Sequence, residues 1–213
     1  ANTLPVDFII VEGSGTTVPA VYTDATELVV SALTPPEHVS SFFGPYRVKI
    51  SELIVITMAE EYNKDKVEKL RELIKELNPE AMVSEVVLRP KPLGDIKGKK
   101  IVYASVAPEE ALEKAIIPYI EEEYGAEVVG YTRWLSNRPK LRKDLEELLP
   151  KADVLVTELK AAAVDVATRM ALSMGKEVVY VWNIPVTVGG IDIEEGIKEI
   201  TRRAIERFEK RKK

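Results

Sequence analysis

A basic loop at residues 136–142, with the sequence SNRPKLR, holds the side chains best suited to binding a phosphate. Asn137 suits the N-cap of a helix and Pro139 suits its first turn. The free backbone N–H groups at a helix start attract phosphate. Three cations accompany them: Arg138, Lys140 and Arg142. The same pattern also fits an ordinary capped helix with surface cations, so two interpretations of the loop stay open.

A second candidate lies near the start of the chain, where Glu12-Gly13-Ser14-Gly15 follows the apolar run 6–11. The run predicts a strand buried on both faces of a parallel sheet. Ligands of open α/β sheets bind at the carboxyl ends of strands, where Glu12 would lie. Glycines allow the backbone to approach a ligand closely. The layout resembles the magnesium-side strand of P-loop nucleotidases, although no G-x-x-x-x-G-K-[ST] motif occurs in the 213 residues.

Polar side chains also follow each strand predicted in the second half of the chain, and we expect them to converge on one edge of a sheet. They are Ser105, Thr132-Arg133, Thr157-Glu158-Leu159-Lys160 and Trp182-Asn183. Glu158 and Lys160 are the pair hardest to explain as ordinary loop residues. Asp165 and Arg169 are four residues apart, which fits a surface ion pair on a helix.

The elements that must position these residues are predicted from apolar periodicity. The predicted strands are 6–11, 26–33, 52–58, 82–88, 100–106, 127–132, 153–158 and 177–182. The predicted helices are 63–77, 108–123, 139–149, 161–174 and 194–212. The stiff stretch from Arg89 to Gly94 contains two prolines, which predicts a linker.

This order predicts two α/β units, with domains at residues 1–92 and 99–213. Four strand–helix repeats in a row predict a Rossmann-like, doubly wound parallel sheet for the C-terminal domain. The N-terminal domain is predicted to be the remainder of a P-loop NTPase-like domain.

Composition excludes several classes of protein. The 46% hydrophobic and 31% charged content is that of a globular protein, and no apolar run is long enough to span a membrane. There is no cysteine and a single histidine, so thiolate chemistry and multi-histidine metal sites are excluded. The net charge of -5 argues against a nucleic-acid partner. We expect a cytoplasmic protein, and its charge-rich helices indicate a thermophilic source.

Five segments together resemble the cyclic 2,3-diphosphoglycerate synthetase family of thermophilic archaea. They are IIVEGSG, GPYRVKISELIVITMAEE, LSNRPKLRKDLEE, VTELKAAAVDVAT and VVYVWNIPV, in order from residue 9 to residue 186. Several motifs of this length in sequence order are more specific than any one of them.

The resemblance implies a ligase that uses ATP and Mg²⁺ to join the two phosphates of 2,3-diphosphoglycerate into an intramolecular phosphoanhydride. The family carries its P-loop upstream of the segment that matches EGSG. We therefore expect this chain to be the C-terminal portion of a longer enzyme, inactive in ATP hydrolysis alone. A homodimer is compatible with the sequence but is not fixed by it.

The resemblance also assigns roles. Glu12 is expected on the metal side of the ATP site, with Gly13, Ser14 and Gly15 donating hydrogen bonds beside the phosphates. The expected substrate clamps are Arg47, Arg133, Arg138, Arg142 and Lys160, because arginine forks and lysine charges suit phosphate. Those expected to orient the clamps or the substrate are Asn137, Glu158 and Asn183. Arg47 belongs to the segment Gly44-Pro45-Tyr46-Arg47, which is predicted to form a turn.

Two other functions fit part of the pattern. A different P-loop enzyme, such as a carboxylate-activating synthetase, also has an EGSG-like strand end. A non-catalytic anion-binding module would explain the basic loop without any chemistry.

Overall fold

The computed structural model describes residues 5–13, 17–18 and 20–212, which form two compact units. The first comprises Ala1–Val87 and Val186–Lys213, and the second comprises Leu88–Pro185. The protein is therefore an α/β protein. The C-terminal helix groups with the first unit, whereas the sequence had placed it in the second domain.

The first unit is built on three parallel strands in which β2 lies between β1 and β3. Leu53 of β2 lies opposite Glu27 of β1 and Met82 of β3. Its elements are β1 (Glu27–Ser31), α1 (Glu37–Ser40), α2 (Gly44–Ile50), β2 (Leu53–Thr57), α3 (Lys64–Leu77), the first part of β3 (Met82–Pro92) and, at the end of the chain, a helix (Ile193–Lys212).

Alternate residues of β2 face opposite layers, which explains why the C-terminal helix belongs to this unit. Ile54 and Ile56 pack with buried residues of α3, whereas Leu53 and Val55 pack with Ile193 and Ile200 of the C-terminal helix. A continuous apolar strand needs a cover on each face, and this helix provides the second cover.

The second unit contains four parallel strands in the order β5-β4-β6-β7. One face packs against α6 and α7 through Val102 and Leu155, and the other packs against α5 through Ile101 and Val156. Its elements are β4 (Lys100–Ala104), α4 (Glu109–Ala111), a π-helical turn (Leu112–Ile116), α5 (Ile117–Tyr124), β5 (Glu127–Thr132), α6 (Arg138–Leu148), β6 (Val154–Glu158), α7 (Val164–Ser173) and the first part of β7 (Glu177–Gly190). In chain order the C-terminal helix is therefore α8.

Two local predictions were wrong, and one predicted helix contains an unexpected π-helical turn. Residues 6–11 form no strand, and Ile10 is 85% exposed, because no strand of the described chain pairs with this apolar run. The predicted linker is partly strand, since β3 continues to Pro92. Pro90 and Pro92 are two residues apart, so their nitrogens, which carry no hydrogen to donate, point to the same side of the strand. The predicted helix 108–123 is interrupted by the π-helical turn, directly before the helix-breaking Pro118.

Helix α8 carries an ion-pair network that gives a testable pH dependence. Arg202 Nη2 and Arg203 Nε donate to Glu199 Oε1 at 2.8 and 2.7 Å. Hydrogen bonds from Arg202 and then Arg203 lower the pKa of Glu199 to about 2, from an ordinary value of 4.5.

A lowered carboxyl pKa stabilises the folded state above the unfolded value, and this contribution disappears as the pH falls. Glu199→Gln is therefore expected to make the urea midpoint of unfolding less sensitive to pH between about 4.5 and 2, measured by circular dichroism. High salt should weaken the difference because the pairs are exposed. If the urea midpoints of the two proteins changed with pH to the same extent, the ion pairs of Glu199 would contribute nothing to stability.

Candidate functional site

The carboxyl ends of β4 and β6 form the most promising edge of the second unit. The chain passes from β4 to β5 on one side and then returns to β6 on the other side of β4. Such a reversal marks the place where open α/β sheets bind ligands. Ser105 and Glu158 lie at this edge, each at or just after the end of its strand.

Glu158 is the centre of a buried polar network. Its side chain accepts hydrogen bonds from Ser105 Oγ at 2.6 Å and from the backbone N–H of Val106 at 3.3 Å. Asn183 Nδ2, at the same edge, donates to Glu158 Oε1 at 3.4 Å. Glu158 is only 8% exposed. The structure thus brings together two predicted orienting residues, Glu158 and Asn183.

Two further polar side chains are buried beside this network. The hydroxyls of Tyr103 and Thr157 make no hydrogen bond of normal geometry within the described chain. Burial, followed by the negative charge of Glu158, raises the pKa of the Tyr103 phenol far above its ordinary value, although the nearby Ser105 hydroxyl acts in the opposite direction. Tyr103 is therefore a neutral phenol beside a carboxylate.

A cleft of about 400 Å³ between α6 and α7 brings three arginine side chains together. It is lined by Arg138, Arg142, Asp165, Val166, Arg169, Met170 and Ser173. Arg138 and Arg142 are one turn apart on α6, and Arg169 faces them from α7. Three guanidinium groups against one carboxylate leave the cleft with an excess of about two positive charges.

Asp165 occupies the middle of this cleft. Its Oδ1 lies 3.1 Å from Arg138 Nη2, and its Oδ2 lies 2.6 Å from Arg169 Nη2. Partial desolvation works to raise the pKa of Asp165. The hydrogen bond from Arg169 and the charge of Arg138 outweigh it, so the pKa is lowered overall. Asp165 is therefore ionised at neutral pH.

The other predicted cations of the second unit lie outside this cleft. Arg133 stacks over the Trp134 ring at 4.6 Å, and Lys140 lies 3.9 Å from the centre of the same ring. Lys160 is exposed in the loop after β6. Asn137 Oδ1 accepts the backbone N–H of Lys140 at 3.2 Å, so the predicted N-cap is confirmed.

In the first unit the predicted residues are not assembled into a site. Glu12 and Gly13 are exposed and outside any strand, and Ser14 and Gly15 lie outside the described residues. The predicted turn at residues 44–47 is instead the start of α2, because Pro45 suits the first helical turn. Arg47 donates from Nε to the backbone oxygen of Phe43 and from Nη2 to that of His38, both at 3.4 Å.

Sequence reasoning missed Arg169 as a third cation of the cleft. Its spacing from Asp165 suggested only a surface pair, and that pair exists at 2.6 Å. The signal that it belongs to a larger cluster comes from Arg138, which is 27 residues away from Asp165 in the chain. Proximity of the starts of α6 and α7 follows from sheet order, which the sequence alone did not fix.

Two features are absent from the residues that the structure describes. No helix there is both long enough and apolar enough to cross a membrane. No group of three or more histidine, cysteine, aspartate or glutamate side chains is arranged to hold a metal ion.

Comparison with known proteins connects both units to one family. The family model described as cyclic 2,3-diphosphoglycerate synthetase, P-loop domain, matches residues 1–87. The model described as cyclic 2,3-diphosphoglycerate synthetase C-terminal domain matches residues 92–184. These boundaries agree with the two units, except that α8 lies beyond the matched ranges.

Three curated relatives carry the name cyclic 2,3-diphosphoglycerate synthetase. The protein of Methanothermus fervidus is 46% identical over 98% of this chain, and that of Methanothermobacter thermautotrophicus is 44% identical over 100%. The protein of Thermococcus sibiricus is 44% identical over 94% of the chain. This chain spans about half the length of these relatives, 46% in each case. Because the models of both domains match in sequence order and together cover most of the 213 residues, the chain belongs to the cyclic 2,3-diphosphoglycerate synthetase family.

Proposed function

We propose that this chain provides the substrate-binding part of an ATP-dependent synthetase that converts 2,3-diphosphoglycerate into its cyclic phosphoanhydride. The observation that carries the proposal is the cleft between α6 and α7. In the unit matched by the family's C-terminal domain, Arg138 and Arg142 line this cleft together with Arg169.

The charge of the substrate explains why such a cleft is needed. A carboxylate and two phosphates on three carbons carry about five negative charges near neutral pH. One phosphate of the substrate accepts the γ-phosphoryl group of ATP, and ADP leaves. An oxygen of the other phosphate then attacks the phosphorus that carries this group, the bond to the transferred group breaks, and inorganic phosphate leaves, so one anion must approach another. Catalysis of this kind depends on positioning and charge neutralisation more than on a protein nucleophile.

The residues of this chain supply the positioning. Arg138 and Arg142 bind phosphate oxygens through their planar forks. Lys160 and Arg133 add charge at the carboxyl edge of the sheet. Asn137 holds the start of α6 in place as its N-cap, which fixes the direction of Arg138.

The remaining polar residues of the edge act indirectly. Glu158 holds Asn183 and Ser105 through hydrogen bonds, so Asn183 presents its amide in a fixed orientation. We therefore assign Glu158 a positioning role and Asn183 a contact with the substrate.

ATP and Mg²⁺ belong to the proposal, but the described residues of the first unit do not fit a complete site for them. Glu12 stands as an exposed carboxylate outside any strand, and the sequence holds no P-loop motif. We propose that Glu12 and the Gly13-Ser14-Gly15 segment complete the ATP site with a phosphate-binding loop from the part of the relatives that this chain does not match. No step of the mechanism is derived through the metal.

One observation favours a second candidate function, a non-catalytic anion-binding module. The arginine cleft is complete within the second unit, so it can bind a phosphorylated molecule without any catalytic partner. A carboxylate-activating P-loop synthetase has no comparable support, since its substrate does not need three arginines in one cleft.

A chimeric enzyme tests the proposed function. The matched part of the Methanothermus fervidus relative is replaced by these 213 residues, and the product of incubation with ATP, Mg²⁺ and 2,3-diphosphoglycerate is followed by phosphorus NMR. We expect the cyclic phosphoanhydride from the chimera, and neither this product nor ATP hydrolysis from the 213-residue chain alone. A folded chimera that binds 2,3-diphosphoglycerate without forming the cyclic product would favour the anion-binding module. ATP hydrolysis by the chain alone would overturn the proposed source of the phosphate-binding loop.

A further inference from the structure

The three arginines of the cleft between α6 and α7 are not equivalent. Arg138 and Arg169 both contact Asp165, whereas Arg142 has no ion pair with any residue that the structure describes. Arg142 can therefore bind an anion directly, whereas Arg138 and Arg169 already bind the carboxylate of Asp165.

The contacts of Asp165 with the two arginines have the geometry expected for a bound phosphate. Two nitrogens of Arg138 reach the two carboxylate oxygens of Asp165, at 3.1 and 3.3 Å. Arg169 Nη2 completes the set at 2.6 Å. A guanidinium fork binds carboxylate and phosphate oxygens with the same planar, paired geometry. Asp165 therefore fills a position shaped for a ligand anion.

We propose that the cleft is a site for a small molecule with two phosphate groups, in which Arg142 binds one phosphate and Arg138 with Arg169 binds the other after displacing Asp165. Arg169 is then a further substrate-binding residue, and Asp165 is an internal competitor of the substrate. The inference rests on the proposed function for the identity of the ligand, 2,3-diphosphoglycerate.

Displacement is feasible because the pairs that must break are exposed. The side chains of Arg169, Arg138 and Asp165 are 76%, 55% and 38% exposed. Ion pairs at such positions are weak and screened by solvent. A phosphate dianion carries more charge than the carboxylate and offers three oxygens rather than two, so it competes effectively for the same two arginines.

The test is the affinity of the 213-residue chain for 2,3-diphosphoglycerate, measured by titration calorimetry without ATP. Asp165→Asn keeps the shape of the side chain but removes its charge, so it is expected to tighten binding about 5-fold. Arg169→Ala is expected to weaken binding about 10-fold. In the variant that carries both substitutions, Asp165→Asn should no longer increase the affinity, because Arg138 then has no second arginine with which to bind the phosphate.

The matched control is Glu147→Gln, on the same helix as Arg142 but outside the cleft, where it pairs with Lys151. It changes the net charge equally and is expected to alter affinity less than about 2-fold. Weaker binding by Asp165→Asn would overturn the inference, since Asp165 would then position the arginines. Unchanged binding by both single variants would also overturn it. The readout is binding, so an inactive chimera together with tighter binding by Asp165→Asn would reject the proposed function and leave this inference standing.

Discussion

Replacing Arg138 and Arg142 together by alanine is expected to reduce kcat/KM for cyclisation about 100-fold in the chimeric enzyme. Both guanidinium groups line the cleft of about 400 Å³, where the proposed function has the substrate bring one phosphate toward another. Loss of two of the three arginines leaves only Arg169 in the cleft to compensate the repulsion between the phosphates. The effect should appear in both KM and kcat, because the same charges bind the substrate and stabilise the transition state.

The folded structure should survive this double substitution. Arg138 is 55% exposed, and its pair with Asp165 is of the kind that contributes at most about 1 kcal/mol. Circular dichroism and thermal unfolding are therefore expected to stay close to those of the unchanged protein. This separates a functional loss from a folding defect.

Lys143→Ala is the matched control for the arginine pair. Lys143 is exposed, follows Arg142 directly on α6 and is absent from the lining of the cleft. Its removal also lowers the positive charge of the helix but is expected to change kcat/KM less than about 2-fold. Equal losses from Lys143→Ala and from the arginine pair would contradict the clamp assignment, as would full activity of the double variant.

The sequence predicted the regular elements of both units well, because their cores repeat the periods of helix and strand. The run 53–56 is continuously apolar, and it lies in a strand covered on both faces. The same rule failed at residues 6–11, since an apolar run is a buried strand only when another strand pairs with it. Pairing is a property of the assembled sheet and cannot be read from one segment.

The candidate site was predictable only in its local parts. The basic loop, the N-cap Asn137 and the polar ends of β4 and β6 all follow from neighbouring residues in the chain. The contacts of Arg138 with Asp165, and its proximity to Arg169, require α6 and α7 to lie side by side. That arrangement follows from the order of the strands in the sheet. The network around Glu158 likewise joins residues more than 20 positions apart, Ser105 and Asn183. Sequence spacing carries no direct signal for either cluster.

Replacing Glu158 by alanine is expected to lower the free energy of unfolding of the second unit by about 3 kcal/mol. The buried hydroxyl of Ser105 and the backbone N–H of Val106 would both lose their acceptor, and a cavity would replace the side chain. Glu158→Gln keeps the volume and one acceptor oxygen, so about half of that loss is expected.

Urea unfolding, monitored by tryptophan fluorescence, measures this effect in the second unit. The chain has two tryptophans, Trp134 and Trp182, and both lie in the second unit. The control is Thr157→Val, beside Glu158 in β6. The Thr157 hydroxyl is buried without a hydrogen-bond partner among the described residues, so its removal should be neutral or stabilising by up to about 1 kcal/mol. Equal destabilisation by Thr157→Val and Glu158→Ala would show that the carboxylate network has no special contribution.

The same variants distinguish a structural from a functional role of Glu158. If Glu158 positions Asn183 for the substrate, Glu158→Gln should reduce kcat/KM of the chimeric enzyme about 10-fold at a temperature where the protein remains folded. Ser105 and Asn183 both donate to Glu158 Oε1, whereas the backbone N–H of Val106 donates to Oε2. The amide places an N–H₂ group at one of these two positions, so either both side chains or the Val106 N–H must lose its acceptor. Full activity of Glu158→Gln with reduced stability would restrict the network to holding the sheet edge, whereas lost activity at unchanged affinity for 2,3-diphosphoglycerate would place its effect on the bound transition state.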